Sequence, residues 1–122
     1  GNGVAYLTNP TVKAKLQTTS RQASGVEGNF IWPAGGTDLN GYNVQTTTLV
    51  PSNLSKGNAT TLSALIFGDF SKMAVANWGG MELTVDPYSG ATAGLTNVVL
   101  NAYLDTALLQ PAAFAVCKDI VA

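Results

Sequence analysis

Histidine is absent from these 122 residues. Its absence removes the commonest general base and metal ligand, and with it every Ser-His-Asp or Cys-His arrangement. Cysteine occurs once, as Cys117 in an apolar run. That excludes an internal disulfide and points to a buried thiol packing as a small hydrophobe. Charge is scarce: Asp, Glu, Lys and Arg make up 11% of the chain, against about 25% in ordinary soluble domains. Six basic and seven acidic residues are scattered singly, for a net charge of −1. Lys13, Lys15 and Arg21 form the densest basic group, around one expected helix. Nucleic-acid binding needs many phosphate-neutralising cations, so no sequence-specific nucleic-acid partner is expected. No apolar run approaches the roughly 20 residues of a membrane helix, and no signal peptide is visible; no membrane partner is expected. The opening Gly1-Asn2-Gly3 lacks Met and reads as a cut within a longer chain.

Apolar residues make up 46%, enough for one domain with a modest core. Thr, Asn, Gly, Ser and Ala fill the charge deficit. A neutral, hydrogen-bonding surface suits a protein that packs against copies of itself. An ordinary low-charge domain is the alternative on composition alone.

The pattern reads as α+β, a small mixed β-sheet with two short helices. Asn9-Pro10 marks a helix start, with Asn9 as cap and Pro10 first in the helix. Val12 and Leu16 share a face, and the helix is expected to end near Thr18 in a polar loop over Arg21–Gly28. Phe30-Ile31-Trp32 reads as a short strand ended by Pro33, Ala34–Gly41 as a glycine-rich flexible turn, and Tyr42–Val50 as a strand. Pro51–Thr60 reads as a loop. Ala64-Leu65-Ile66-Phe67 lacks alternation, as in a central strand buried on both faces. Asp69 is placed to cap a second helix, Phe70 to about Asn77, ended by Gly79-Gly80. Met81–Val85 opens another strand, and Asp86–Gly94 is an exposed hairpin tip. Leu95–Leu109 reads as a long strand, with a helix over Val99–Leu109 as the alternative. Ala113–Val121 is the last strand.

The search for chemistry returns no catalytic, cofactor or metal residues. Asp69 with Glu82, or Asp86 with Asp105, could gather as carboxylates, but their spacing matches no ligand pattern; each is more simply a cap, a turn residue or a surface charge. Gly35-Gly36 and Gly79-Gly80 are turns rather than nucleotide loops, and Ser55-Lys56-Gly57 runs in the wrong order for a phosphate loop. Asn53-Leu54-Ser55 and Asn58-Ala59-Thr60 match the glycosylation triplet, a chance match in an Asn- and Thr-rich chain. Most aromatics sit in core-like contexts; Trp32, beside Pro33, and Tyr88, at the tip, read as exposed, and Trp78 as covering the end of the second helix.

Several segments follow in a characteristic order: Ala5-Tyr6-Leu7-Thr8-Asn9-Pro10, Gly41-Tyr42-Asn43-Val44, Val50-Pro51-Ser52-Asn53 and Leu65-Ile66-Phe67-Gly68-Asp69-Phe70-Ser71-Lys72. Trp78-Gly79-Gly80-Met81-Glu82-Leu83, Val85-Asp86-Pro87-Tyr88 and Gln110-Pro111-Ala112-Ala113-Phe114-Ala115-Val116 complete the series. In this order the chain resembles the C-terminal part of the tailed-bacteriophage major capsid protein, of the Hong Kong phage type. The resemblance covers nearly the whole chain and is strongest after Pro51.

The resemblance implies a structural, non-enzymatic subunit of an icosahedral phage or prophage shell, forming pentamer and hexamer capsomers around packaged DNA. It implies an axial-domain core over 1–85 and, over 86–122, a hairpin and long closing strands shared with the peripheral domain, the two forming one compact unit. The implied partners are copies of itself, with a scaffold or prohead protease as further ones; the implied place is the virion capsid, made in the bacterial host cytoplasm. The family's N-terminal arm, extended loop and spine helix have no counterpart here. Some members cross-link through a Lys–Asn bond assisted by a Glu near the C-terminus. Asn97 and Asn101 are acceptors by type, but no Glu follows Glu82, so no self-catalysed cross-linking is expected of this segment. The loops Ala34–Gly41, Pro51–Thr60 and Tyr88–Gly94 are the expected contact makers, with Tyr88 as an anchor. The alternative reading is a non-catalytic phage or cell-surface binding module for carbohydrate or protein, which an exposed aromatic patch would favour.

Overall fold

The computed structural model describes residues 3–23 and 28–122. In chain order its elements are β1 (Val4–Thr8), α1 (Pro10–Thr18), β2 (Asp38–Leu39), β3 (Tyr42–Thr46), β4 (Leu54–Lys56), β5 (Ala59–Asp69), β6 (Met73–Asn77), β7 (Glu82–Asp86), β8 (Asn97–Asn101), β9 (Leu104–Leu108) and β10 (Phe114–Val121). They fall into two compact units: a body of Gly1–Lys72 with Gln110–Ala122, and an arm of Met73–Leu109. The compact units divide at 72/73 and 109/110. The reason is pairing: β7 hydrogen-bonds to β8, which keeps residues 82–86 with the arm.

The body is a six-stranded mixed sheet ordered β10-β5-β1-β3-β2, with β4 also paired to β5. β1 runs parallel to β3 and antiparallel to β5, and α1 lies in the connection between β1 and β3, as a parallel pair requires. Asn9 starts that helix as its sequence suggests: Oδ1 accepts from Val12 N at 2.9 Å, and Pro10 occupies the first turn. The Asn9 side chain does a second job. Its Nδ2 donates to the Pro51 carbonyl at 3.1 Å, tying the loop before β4 to the helix start. Thr8, fully buried, donates its hydroxyl to the Ala64 carbonyl at 3.0 Å. Every one of these buried polar groups therefore has a partner, as burial demands.

Trp32, Leu39 and Val44 form the core cluster, with Tyr6, Leu16 and Ile31 packed on it. Trp32 is 2% exposed, against the expectation that Pro33 would leave it on the surface. The turn after Pro33 explains the difference: Gly36 N donates to the Pro33 carbonyl, and the Gly36 carbonyl then accepts from the indole Nε1 at 2.8 Å. A satisfied indole N–H lets the ring be buried, and the Lys13 ammonium sits 5.3 Å from its centroid. Phe30–Trp32 is not a strand; Phe30 makes a single bridge to Ser20. The expected polar loop over Arg21–Gly28 falls partly on 24–27, outside the described residues.

Two hairpins replace expected loops. Leu39 and Tyr42 pair across Asn40-Gly41, both with positive φ (56° and 85°), the signature of a two-residue turn that matches strand twist. Lys56 and Ala59 pair across Gly57-Asn58, so Pro51–Thr60 holds β4 and the start of β5. β5 is central, flanked by β1 and β10. Leu62, Ser63 and Ala64 are buried, while Leu65, Ile66 and Phe67 are half-buried. Tyr42–Val50 is strand only to Thr46.

One α-helix is present among the described residues, not two. Asp69 does cap the following turn, accepting from Ser71 N at 3.0 Å and Ser71 Oγ at 2.6 Å. That turn is a single 3₁₀ turn, Phe70–Lys72. Met73–Asn77 instead becomes β6, because all five residues find partners in Leu104–Leu108. Non-local pairing overrides the helix propensity of its alanines.

The arm is a long two-stranded ribbon made of two antiparallel ladders, β6–β9 and β7–β8. Leu95–Leu109 is thus strand as favoured, though broken at Ala102-Tyr103 into β8 and β9. Between the ladders four residues (78–81) stand opposite two (102–103). Gly79, at φ 73°, supplies the left-handed conformation that the longer side requires.

Candidate assembly surfaces

The arm concentrates the exposed apolar surface. Fifteen of the nineteen exposed large apolar side chains among the described residues lie between Met73 and Leu109. Opposite residues of an antiparallel pair share a face, so the β7–β8 register sorts them. Leu83 faces Leu100 and Val85 faces Val98, all on one side; Glu82–Asn101, Thr84–Val99 and Asp86–Asn97 occupy the other. In β6–β9 the pairs Met73–Leu108, Val75–Thr106 and Asn77–Leu104 share a face. A two-stranded ribbon with one apolar side in water is marginal by itself. An apolar surface this extensive marks an interaction site.

Charge is also divided. The arm contains Glu82, Asp86 and Asp105 and no Lys or Arg; all six cations lie in the body. The tip of the arm is built rather than loose. Asp86 Oδ1 accepts from Tyr88 N at 2.9 Å and Ser89 N at 3.3 Å, and Oδ2 from the Ser89 hydroxyl. The Ser89 hydroxyl chiefly, then those two amides, holds the Asp86 carboxyl below its usual range. A 3₁₀ turn (Ala91–Ala93) follows and closes on Gly94 in the left-handed region. This scaffold leaves Tyr88 85% exposed, as the sequence suggests.

On the body, a groove of about 380 Å³ runs between β4 and β10, lined by Leu54, Ser55, Lys56, Val116, Lys118 and Asp119. Lys56 Nζ meets Asp119 Oδ2 at 2.6 Å. That hydrogen bond raises the pKa of Lys56 and, with a smaller contribution from the Cys117 thiol, lowers that of Asp119. Lys118 has no ion-pair partner among the described residues. Cys117 is exposed, its Sγ 3.4 Å from Asp119 Oδ1. The expected core thiol is therefore on the surface, because β10 is the outermost strand of its sheet and only its β5 side is covered.

Of the carboxylates named from sequence, Asp69, Asp86 and Asp105 each serve their own local structure. Asp69 serves the turn after β5, where the Ser71 hydroxyl and amide hold its pKa low. Asp86 serves the tip, and Asp105 accepts from the Thr106 amide at 2.8 Å. No group of three or more potential metal ligands occurs among the described residues, and none of their helices is long and apolar enough to cross a membrane. Trp78 is 54% exposed; with no second helix it has no helix end to cover. The signal that sequence reasoning missed is the alternation in Leu83-Thr84-Val85, which the register matches to Val98 and Leu100 on one face of the ribbon.

Comparison with known proteins gives these features a context. No curated protein matches the chain. Among solved structures it is similar to the capsid of an empty GTA particle computed with C5 symmetry, at 20% identity and a TM-score of 0.65. The match covers 98% of this chain and 39% of that one, so the chain spans about two fifths of the length of that subunit and shares its fold. The sequence model of the phage capsid family matches residues 1–119. A ribbon with uncovered apolar residues, a charge-poor surface and a match over nearly every residue agree: this chain belongs to the phage capsid family.

Proposed function

We propose that the protein is a structural, non-catalytic subunit of an icosahedral phage or prophage capsid, built into pentameric and hexameric capsomers around packaged DNA. The observation that carries this reading is the arm's uncovered apolar surface in a chain of the phage capsid family. A shell subunit works through area and symmetry rather than through a pocket, and this surface is area awaiting cover. In this reading the sheet and α1 belong to the axial domain around capsomer centres. The arm belongs with the peripheral domain that meets neighbouring capsomers. Partners are further copies, with a scaffold or prohead protease during assembly, and the mature location is the virion.

Electron microscopy of the gene product, expressed with its neighbouring genes, tests the proposal. Shells, sheets or rings of five or six subunits are expected. A product that stays monomeric with those genes present overturns it.

A further inference from the structure

We propose that the tip of one copy's arm docks in the β4–β10 groove of a second copy, with Tyr88 entering the groove beside Lys118. The proposal rests on the shell-subunit reading and names a contact that such a subunit would use.

Three observations carry it. First, the two surfaces complement each other in charge. The arm has no cation and carries Asp86 at its tip, whereas the groove offers Lys56, already held by Asp119, and Lys118, which has no ion-pair partner among the described residues. Second, they complement each other in polarity. Val116 and the half-buried Leu54 give the groove apolar surface, and Tyr88 presents an aromatic body with a polar end. Tyrosine is enriched where interfaces concentrate their binding energy, and a lysine beside its ring adds a cation–π attraction. Third, the tip is already ordered. Asp86 accepts from two backbone amides and one hydroxyl there, and Gly90 O accepts from Ala93 N at 3.1 Å and Leu95 N at 2.9 Å. Docking a preformed loop avoids most of the ordering cost of binding.

Such a contact joins two different patches, so each copy presents one donor tip and one acceptor groove. A contact of this kind closes into rings or continues as an open array according to the rotation between copies. It also predicts complementation. A Tyr88→Ala copy keeps its groove but loses its tip, and a Lys118→Glu copy keeps its tip but loses its groove.

Sedimentation velocity on the wild-type chain, each variant and their equimolar mixture tests this. Wild type is expected to associate beyond dimers. Each variant alone is expected to associate about thirtyfold more weakly, the size of an interface hot spot. The mixture is expected to form pairs and stop there, since only one competent tip and one competent groove meet. Tyr88 is exposed, so circular dichroism of Tyr88→Ala should match wild type. Wild-type association with Tyr88→Ala unaffected, or a mixture that does not pair, overturns the docking while leaving the shell reading in place. A wild-type chain that fails to associate at any concentration, whose gene product also gives no assemblies by microscopy, overturns both.

Discussion

Phe114 stands opposite Gly68 across the β5–β10 ladder, and its ring edge occupies the space that a side chain on Gly68 would fill. The Ala113 carbonyl lies 2.8 Å from the same point. Phe114 also meets Phe70 edge to face, with centroids 5.5 Å apart. Gly68→Ala should therefore overpack this site and destabilise the chain by about 1–3 kcal/mol. Urea denaturation measures the loss. In Gly68→Ala/Phe114→Leu part of the loss should return, and strict additivity of the two single changes would argue against the contact.

Asn9 offers a way to separate two roles of one side chain. Asn9→Ala removes the helix cap and strands the Pro51 carbonyl, and should cost about 2 kcal/mol in thermal or urea unfolding. Asn9→Asp keeps the cap but replaces the Nδ2 donor with an acceptor facing Pro51 O, so its loss should fall between Asn9→Ala and wild type. Equal losses for both variants would mean that the tie to Pro51 accounts for the whole loss and the cap for none of it.

Acid should weaken the fold. Asp69, Asp86 and Asp119 are all held below their ordinary value of 3.8, by Ser71, by Ser89 with the tip amides, and by Lys56 respectively. A carboxyl with a depressed folded pKa contributes stability above its unfolded pKa and loses it as pH falls through the folded one. The urea midpoint should stay level from neutral pH to about pH 5 and drop below about pH 4. Lys56 runs the other way: its raised pKa contributes below the ordinary lysine value and is lost only as strongly alkaline pH passes through the raised one. Lys56 and Asp119 are solvent-exposed, so their part should be small and should shrink further in salt.

On the arm, Leu83→Asp should separate folding from assembly. Leu83 is 64% exposed, so the isolated chain should change in stability by no more than about 0.5 kcal/mol. A carboxylate in the middle of the apolar face should nevertheless abolish shells or rings seen by microscopy. Normal assembly of this variant would remove that face from the contacts.

The two tryptophans should report the same event. Trp32 is buried and Trp78 half-exposed. Acrylamide should quench one component of the fluorescence in the isolated chain, and Trp78→Phe should remove that component. Cover of the arm during assembly should reduce the accessible fraction.

How legible this was depended on distance along the chain. Asn9-Pro10 announced α1 because a cap acts within three residues, and Asp86-Pro87 with Gly90 and Gly94 announced the tip for the same reason. The Asn40-Gly41 hairpin carried an equally local signal that was read only as flexibility. Met73–Asn77 could not be assigned from its own residues, since its strand state depends on Leu104–Leu108, about thirty positions on. Trp32 and Cys117 depart from their sequence expectations in opposite directions. Cys117 is exposed because β10 lies at the sheet edge, and Trp32 is buried because the turn after Pro33 brings the Gly36 carbonyl to its indole N–H. Both depend on tertiary placement that adjacent residues do not encode. The surfaces were half legible: Tyr88 stood out in its polar loop, whereas the groove combines β4 with β10, joined only through β5.

Because the arm is inserted between β5 and β10, the order of synthesis differs from the order of the sheet. A ribosome must release all of Met73–Leu109 before Phe114–Val121 can close the outer side of β5. Until then Leu62, Leu65, Ile66 and Phe67 lack their β10 partners, and the contacts still missing are of long sequence separation, which form slowly. A growing chain thus exposes its apolar ribbon before its sheet is complete. For a polypeptide made in many copies on neighbouring ribosomes, this places a chaperone's most useful moment at the interval between the arm's emergence and the arrival of Phe114.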